Sequence, residues 1–517
     1  MMEPAVSDRL FIVRLSGDFY TKSRGTRLQF QRRLASNVRD ALTSHGIPHR
    51  LERTWSRLVV ETPDTPETPQ TSAPEVVRRV FGVQSVSEAE RRPWQTLDDV
   101  VRAGVEVFGE EVQGRSFAVR ASRRAKEGER EAFGFNSQAV EIALGRALLD
   151  AGAARVDLGE PEVTAWVELE PGAVHLFRDK LRGYGGLPIG VEGRALALVS
   201  GGFDSAVASW LMLKRGVHLD YLFCNLGGTA HRLGVLKVLQ VLAEQWSYGS
   251  RPRLHEVDFQ PLSAAIQAQT SPRNWQLLLK RLMLRAGESI ARRSGRLALI
   301  TGDAIGQVSS QTLQNLAVIS QAAPTVPVLR PLLGFNKEEI LAIARQIGVF
   351  ELAAAVGEYC ALVPRRPATR APLGEVVADE TALDLGQLSA LLATRQTHDL
   401  RRLGPEELAR ADLDIDHVPS GATVLDLRSR GAWQTWHYPG ALPLDLPHAL
   451  ASFRSFDRER PYVIVCEVGL KSAHLAEEMR KAGFSAHHFG GGVRELMALA
   501  EKERLLDLSL LAPAVRD

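Results

Sequence analysis

Arg194-Ala-Leu-Ala-Leu-Val-Ser200-Gly201-Gly202-Phe203-Asp204-Ser205 is the stretch on which the fold of this chain turns. The apolar run up to Val199 has no polar alternation, which is the pattern of a parallel strand buried on both faces. A helix is expected to begin near Ala206. Between the two, a pair of glycines lets the backbone approach a phosphate closely. Serine hydroxyls add hydrogen bonds, and the free N–H groups of a helix start complete an anion cradle of pyrophosphate size. The loop is neither GxxxxGK[ST] nor GxGxxG. A bare Ser-Gly-Gly would read as a turn that uses small residues for conformation alone; here strand, loop and helix agree, and that agreement outweighs the plainer alternative.

Outward from this point, strands such as Leu219 to Phe223 and Leu297 to Thr301 alternate with helical stretches as far as about Gly348. That alternation implies a parallel sheet covered on both faces. The 517 residues exceed what one core organises, so two to four domains are expected. Upstream, residues 9 to 15 read as a strand, Thr26 to Leu42 as a basic amphipathic helix and Ser56 to Val60 as a second strand, followed by a Pro/Thr-rich linker. A further α+β unit follows, with strands at Ser116 to Arg120 and Val163 to Glu170 around a helix at Asn136 to Ala151. Residues 365 to 420 show no clear strand and read as a helical connector. From Ala422 strand and helix alternate again.

Apolar residues make up 45% and charged residues 24% of the chain, ordinary for a globular protein. No apolar run approaches the ~20 residues that span a bilayer, and the segment Met1 to Phe11 lacks a basic region followed by an apolar one. A cytoplasmic protein without membrane contact is therefore expected. The formal charge of +2 is nearly neutral, so any nucleic-acid face must be local. Three cysteines, Cys224, Cys360 and Cys466, occur without a CxxC pair, which excludes a zinc ribbon and a secreted disulfide scaffold. No metal-ligand set stands out.

Val463-Ile-Val-Cys466-Glu-Val-Gly-Leu-Lys-Ser472 sets a cysteine at a strand end before a loop and a helix. Loop N–H groups and a helix N-terminus aimed at sulfur favour the thiolate or persulfide anion. Glu467 adds a negative charge beside the thiol, and Lys471 is placed to offset it. The plainer alternative is a buried structural cysteine.

The motif Ser200-Gly-Gly-Phe-Asp-Ser205 after its apolar strand resembles the PP-loop of ATP pyrophosphatases. Phe223-Cys-Asn-Leu-Gly-Gly-Thr-Ala-His231, Leu279-Lys-Arg-Leu-Met-Leu-Arg285, Thr301-Gly-Asp-Ala-Ile-Gly-Gln-Val-Ser-Ser-Gln-Thr312 and Arg330-Pro-Leu-Leu-Gly-Phe-Asn-Lys337 narrow it to the tRNA 4-thiouridine synthetase family, which they resemble in that order. Val119-Arg-Ala-Ser-Arg-Arg-Ala-Lys126 and Val156 to Val163 resemble a THUMP domain, Gly17 to Arg24 the family's N-terminal signature, and Leu425-Asp-Leu-Arg428, His437 to Ala441, the Cys466 loop and Phe489-Gly-Gly-Gly-Val a rhodanese domain. The implied architecture is multidomain α/β: an N-terminal ferredoxin-like domain (1–73), a THUMP RNA-binding domain (74–178), a doubly wound parallel-sheet PP-loop domain (179–370), a helical connector (371–420) and a rhodanese-like sulfur-carrier domain (421–517).

The resemblance implies ATP contacts at Leu198, Val199, Ser200, Gly201, Gly202, Asp204, Ser205, Phe223, Cys224, Lys280, Gly302 and Gln311, with Asp204 and Lys337 catalytic and Mg2+ accompanying the polyphosphate. Lys280 and Lys337 are suited to charge growing on a leaving pyrophosphate; taken alone, Lys280 would read as a solvated helix face. Where Asp303 stands, the family commonly carries Glu. RNA contacts fall at Lys22, Arg24, Arg120, Arg123, Arg124 and Lys126, a cationic set suited to phosphates, although a charge run is usually a solvated face. Cys466 would carry a persulfide, and Cys360 matches the family position that forms a disulfide with it. Cys224 reads as a packing residue or adenine-pocket wall. Implied partners are tRNA, a cysteine desulfurase and, for a second role in thiamine thiazole synthesis, a ubiquitin-like sulfur-carrier protein; a homodimer is compatible. Rival readings are an amide-forming ATP pyrophosphatase, which lacks its glutaminase module here, a non-catalytic RNA-binding module, and a rhodanese-like phosphatase, whose loop would need a closing arginine.

Overall fold

The strand Arg194–Val199 lies inside a six-stranded sheet whose order is Val328–Leu329, Leu299–Ile300, Arg194–Val199, His218–Asn225, Arg253–Asp258, Gln396–Asp399. The first five run parallel and the last is antiparallel. The next strand in sequence joins one side of Arg194–Val199 and a later one joins the other. The crevice beyond its carboxyl end is therefore a topological switch point, where ligands bind in open α/β sheets. The computed structural model describes residues 8–54, 56–63, 72–124, 133–356, 362, 366–404, 407, 413–467 and 469–510.

Two units make up the chain, Met1–Glu192 with Lys214–Gly216 and Tyr248–Ser250, and the remainder. The first unit holds two sheets. One is antiparallel, in the order Leu181–Arg182, Val83–Glu88, Asp8–Leu15, Arg57–Pro63, Arg50–Arg53, so it takes in chain from well beyond residue 73. The helix Arg24–Ser44 starts behind the Ser23 hydroxyl, which accepts from Thr26 N, and lays Phe30, Leu34, Val38 and Leu42 on Phe11, Val13, Leu58 and Val60. The other sheet is mixed, in the order Glu90–Pro93, Ala173–Phe177, Val163–Glu170, Ser116–Arg123, Arg155–Val156. Its helices Leu97–Phe108 and Ser137–Asp150 meet at Gly104, where an added Cβ would come within 2.6 Å of Leu144. Glu168 joins the two sheets by accepting from Arg14 at 2.9 Å and from Arg57, all three being largely buried.

In the second unit, the segment expected to be purely helical between 365 and 420 forms the helices Leu373–Thr381 and Leu385–Ala393 but also the strand Gln396–Asp399. Sequence pattern misses this strand because its residues, Gln-Thr-His-Asp, are polar. At a sheet edge the ladder hydrogen bonds to Arg253–Asp258 hold it in place of an apolar face. The C-terminal part carries a parallel sheet in the order Leu442–Pro443, Thr423–Asp426, Tyr462–Val465, Ala486–His488, with the helix Leu470–Lys481 following the Cys466 loop. That helix packs on the helix Gly228–Trp246 of the larger sheet domain, where Leu233 and Ala355 meet Leu470 and Ala473 in one buried cluster. No helix among the described residues is long and apolar enough to cross a membrane.

Candidate active site

After Val199 the chain turns through Ser200, Gly201 and Gly202 into the helix Phe203–Lys214. Gly201 has φ of +81°, and a side chain there would meet Val235 and Val356 at 3.2 Å, so both backbone and space require glycine. Ser205 ties the loop by donating to Gly202 O at 3.1 Å and accepting from Ser200 N at 3.4 Å. Gly302 lies flush against the helix start: a Cβ would sit 2.6 Å from Ser205 N.

These elements wall a cavity of about 290 Å3 lined by Leu198, Val199, Ser200, Asp204, Ser205, Cys224, Lys280, Gly302 and Gln311, all expected from the sequence. Gly201, Gly202, Phe223 and Lys337 do not line it. Phe223 is fully buried and packs edge-on to His231 at 4.6 Å, while Lys337 pairs with Asp204 at 2.9 Å. Asp204 also accepts from Gln307 at 3.1 Å. The rest of the wall has an apolar part, from Leu222, Leu226, Met283, Leu284 and Ile319, and a polar part, from His231, Thr301 and Asp303. An apolar end beside a polar end with two lysines near it suits a purine attached to a polyphosphate.

Asp303 is wholly engaged by the protein: Oδ1 accepts from Lys280 at 2.9 Å and Oδ2 from Thr301 at 2.7 Å and Arg330 at 3.2 Å. Burial alone would raise its pKa. Lys280, Thr301 and Arg330 outweigh that and hold it at about 2. Gln311 donates weakly to the same carboxylate and keeps Oε1 buried without a partner among the described residues, an acceptor on the cavity wall. His231 had no role assigned from sequence, although the Phe223 to His231 motif contains it. Burial pushes its pKa down to about 4, so at neutral pH it is an uncharged ring whose Nε2–H donates to Ser200 O at 3.1 Å, bracing the loop. The Cys224 thiol is pushed far up by burial, which makes it an uncharged wall.

Cys466 follows the strand Tyr462–Val465 and is 2% exposed. Ser472 N donates to its Sγ at 3.5 Å, and Ser472 Oγ lies 3.4 Å from both Sγ and His488 Nδ1. His488 Nε2 is 2.7 Å from Asp414. Arg428, paired with Asp426 at 2.7 Å, and Lys237 are cations within electrostatic reach of Cys466. Cys360 falls outside the described residues. The chain enters its segment at Val356, which abuts Gly201 and packs on the cluster of Leu233, Leu470 and Ala473.

In the N-terminal unit, Arg120 donates to Leu158 O at 2.6 Å and Arg123 to Phe135 O at 2.7 Å. Arg124 is half-buried, Lys22 lies over the Phe30 ring at 5.9 Å, and Arg24 opens its helix in the open. Lys126 falls outside the described residues.

The family model described as Thiamine biosynthesis protein (ThiI) matches residues 190–385, the ThiI ferredoxin-like domain 10–87, the THUMP domain 95–179 and the rhodanese-like domain 406–498. A tRNA sulfurtransferase of Pyrobaculum aerophilum is 36% identical, over 91% of this chain and 94% of that protein. One from Sodalis glossinidius is 33% identical, over 92% and 98%. Among solved structures, a 4-thiouridine synthetase–RNA complex with bound ATP superposes with a TM-score of 0.65 at 29% identity, over 76% of this chain and 99% of that one. A phosphate-cradling switch-point loop, a purine-sized cavity and a strand-end cysteine are thus the parts of a known enzyme class, and the chain belongs to the tRNA sulfurtransferase family.

Proposed function

We propose that O4 of uridine 8 in tRNA attacks the α-phosphate of ATP bound in the cavity, releasing pyrophosphate, and that the terminal sulfur of a Cys466 persulfide then attacks C4. AMP leaves, and the base sulfur stays bonded to Cys466 Sγ. The Cys360 thiolate attacks Sγ, freeing 4-thiouridine and forming the Cys360–Cys466 disulfide, which an external dithiol reduces. In the first step Lys337, Lys280 and the Ser200–Ser205 loop oppose the charge growing on pyrophosphate. Asp204 is the cavity carboxylate with an open side, Asp303 being fully engaged. It would hold Mg2+ together with the phosphates; when bound, the ion would further neutralise the leaving group.

The observation that carries this reading is Val356. It touches both the Gly201 turn and the helix that follows Cys466, and Cys360 lies four residues beyond it, within roughly 14 Å along the chain. This proximity supports a scheme in which adenylation and sulfur transfer share one locality. Because Cys466 is 2% exposed, loading by a cysteine desulfurase requires its loop to open. The cationic set Lys22, Arg24, Arg120, Arg123, Arg124 and Lys126 would hold tRNA phosphates, a role supported by the RNA bound in the related synthetase. A relay of sulfur towards thiamine thiazole through a ubiquitin-like carrier fits the family description, and thiamine auxotrophy on deletion tests it. A homodimer is compatible with the scheme and is measured by sedimentation.

Mass spectrometry of tRNA nucleosides after incubation with ATP, a desulfurase and cysteine tests the main scheme. Cys466→Ala should abolish 4-thiouridine while pyrophosphate release survives, and Asp204→Ala should stop both. Undiminished 4-thiouridine in the Cys466→Ala variant refutes it.

A further inference from the structure

The helix Gly228–Trp246 belongs to the adenylation domain, yet its Lys237 reaches the other module: Nζ donates to Gly490 O at 3.2 Å. Gly490 O in turn lies against Gly469 of the Cys466 loop, where any side chain would collide with it, and Val493 N donates to Cys466 O at 2.9 Å. The ammonium therefore rests on the Gly490 turn, which packs against the backbone of the loop that carries Cys466. The other charged groups around that thiol come from every neighbouring element: Asp414 with His488 behind Ser472, Glu467 in the loop, Glu495 on the following helix and Arg428 beside Asp426. Four of these are carboxylates, of which Asp426 is paired with Arg428. Burial lowers the pKa of Lys237, while Asp414, Cys466 and Glu495 oppose that change, which sets all three groups within electrostatic reach of the ammonium.

We propose that Lys237 is a positioning residue for sulfur transfer, supplying from the adenylation domain the positive charge that holds the anionic sulfur of Cys466 in the docked arrangement. A persulfide anion then favours docking, and a neutral disulfide after transfer weakens it. This rests on the sulfur-carrier reading above.

The test uses the full chain and follows alkylation of the Cys466 peptide by iodoacetamide as a function of pH, read by mass spectrometry. The readout is the midpoint of the profile, since accessibility changes its amplitude instead. In Lys237→Met the midpoint should rise by about one pH unit, single-turnover transfer from preloaded persulfide should fall about tenfold at neutral pH, and Lys237→Arg should restore both. Pyrophosphate release should match the parent protein. An unshifted midpoint in Lys237→Met, or an arginine variant as impaired as the methionine one, overturns the proposal. A parent protein in which Cys466 takes up no sulfur from the desulfurase removes the carrier reading and this inference together, a result distinguishable because it appears before any substitution.

Discussion

Replacing Asp303 by Asn removes one charge and almost no volume, so its cost isolates the ion cluster beneath the nucleotide cavity. The carboxyl is held at about 2 against an ordinary 3.8. At about 1.4 kcal/mol for each pKa unit, that difference corresponds to about 2 kcal/mol of stability at neutral pH. An independent route gives a similar figure. Breaking a fully buried pair costs roughly 3–5 kcal/mol, but the Lys280 side chain is 28% exposed and turns to water when released, which lowers the cost. Arg330 has no such escape: it is 9% exposed and its Nη2 already lacks a partner among the described residues. Because the folded pKa lies below the unfolded one, this contribution is complete above about pH 4 and is lost as pH falls through about 2. Global unfolding of a multidomain chain is not two-state, so the suitable assay is amide hydrogen exchange along the helix Trp275–Ser294 and the strand Leu299–Ile300. The variant should open roughly thirtyfold more often at neutral pH, and the gap should narrow below pH 4. Equal protection in the two proteins, or a gap that widens on acidification, would show that Lys280 and Arg330 do not depend on this carboxylate.

Gly302→Ala drives a methyl group into the backbone at Asp204 and Ser205, so the loop-helix must shift at a cost of about 1–3 kcal/mol. Pyrophosphate release should fall tenfold or more, while Gly334→Ala, which meets nothing within 4 Å, should stay near parent activity; equal rates for the two refute the close approach. With His231 held at about 4, the pH–rate profile of pyrophosphate release should carry no ionisation from this ring between pH 5 and 8. An inflection there that disappears in His231→Gln contradicts the buried neutral ring. Glu168→Gln leaves the Arg14 and Arg57 guanidinium groups without their common carboxylate, and the N-terminal unit should lose about 3–5 kcal/mol in thermal unfolding. A loss under about 1 kcal/mol would mean that solvent already screens the network.

What could be read from sequence was what repeats a local rule. The strand before Ser200, the turn glycines and the helix after them each carry a signature within a few residues, and the alternation of strand and helix around them implies a parallel sheet. Asp204, Lys280 and Lys337 were legible as site residues only through the family resemblance. That Lys280 spends its charge on Asp303 was not, because the two meet only when the helix Trp275–Ser294 packs beside the strand Leu299–Ile300. The apolar half of the cavity stayed hidden for a related reason. Leu222, Leu226, Met283, Leu284 and Ile319 look like any core residues, and only tertiary placement leaves them facing a void. His231 read as a motif letter until burial made it a neutral brace. The strand Gln396–Asp399 has no apolar face to announce it, and its His398 joins Glu256 at 3.2 Å across the ladder.

The same tertiary placement explains why sulfur chemistry needs a separate module at all. Activating a uridine carbonyl requires an anion cradle, whereas delivering sulfur requires a second anion to approach it. Polyphosphate and persulfide repel each other, and no single loop stabilises both. In the proposed scheme Lys280 and Lys337, paired with Asp303 and Asp204 at rest, would serve the cradle, and Arg428 and Lys237 the thiol. Val356, Leu233, Leu470 and Ala473 form an apolar seam between the helix Gly228–Trp246 and the helix that follows Cys466. Such a seam binds without direction or charge. A charged substitution in the seam, such as Ala473→Glu, is therefore a direct way to uncouple adenylation from transfer. Pyrophosphate release should persist and 4-thiouridine should fall; a variant that retains both would mean that the seam plays no part in delivery.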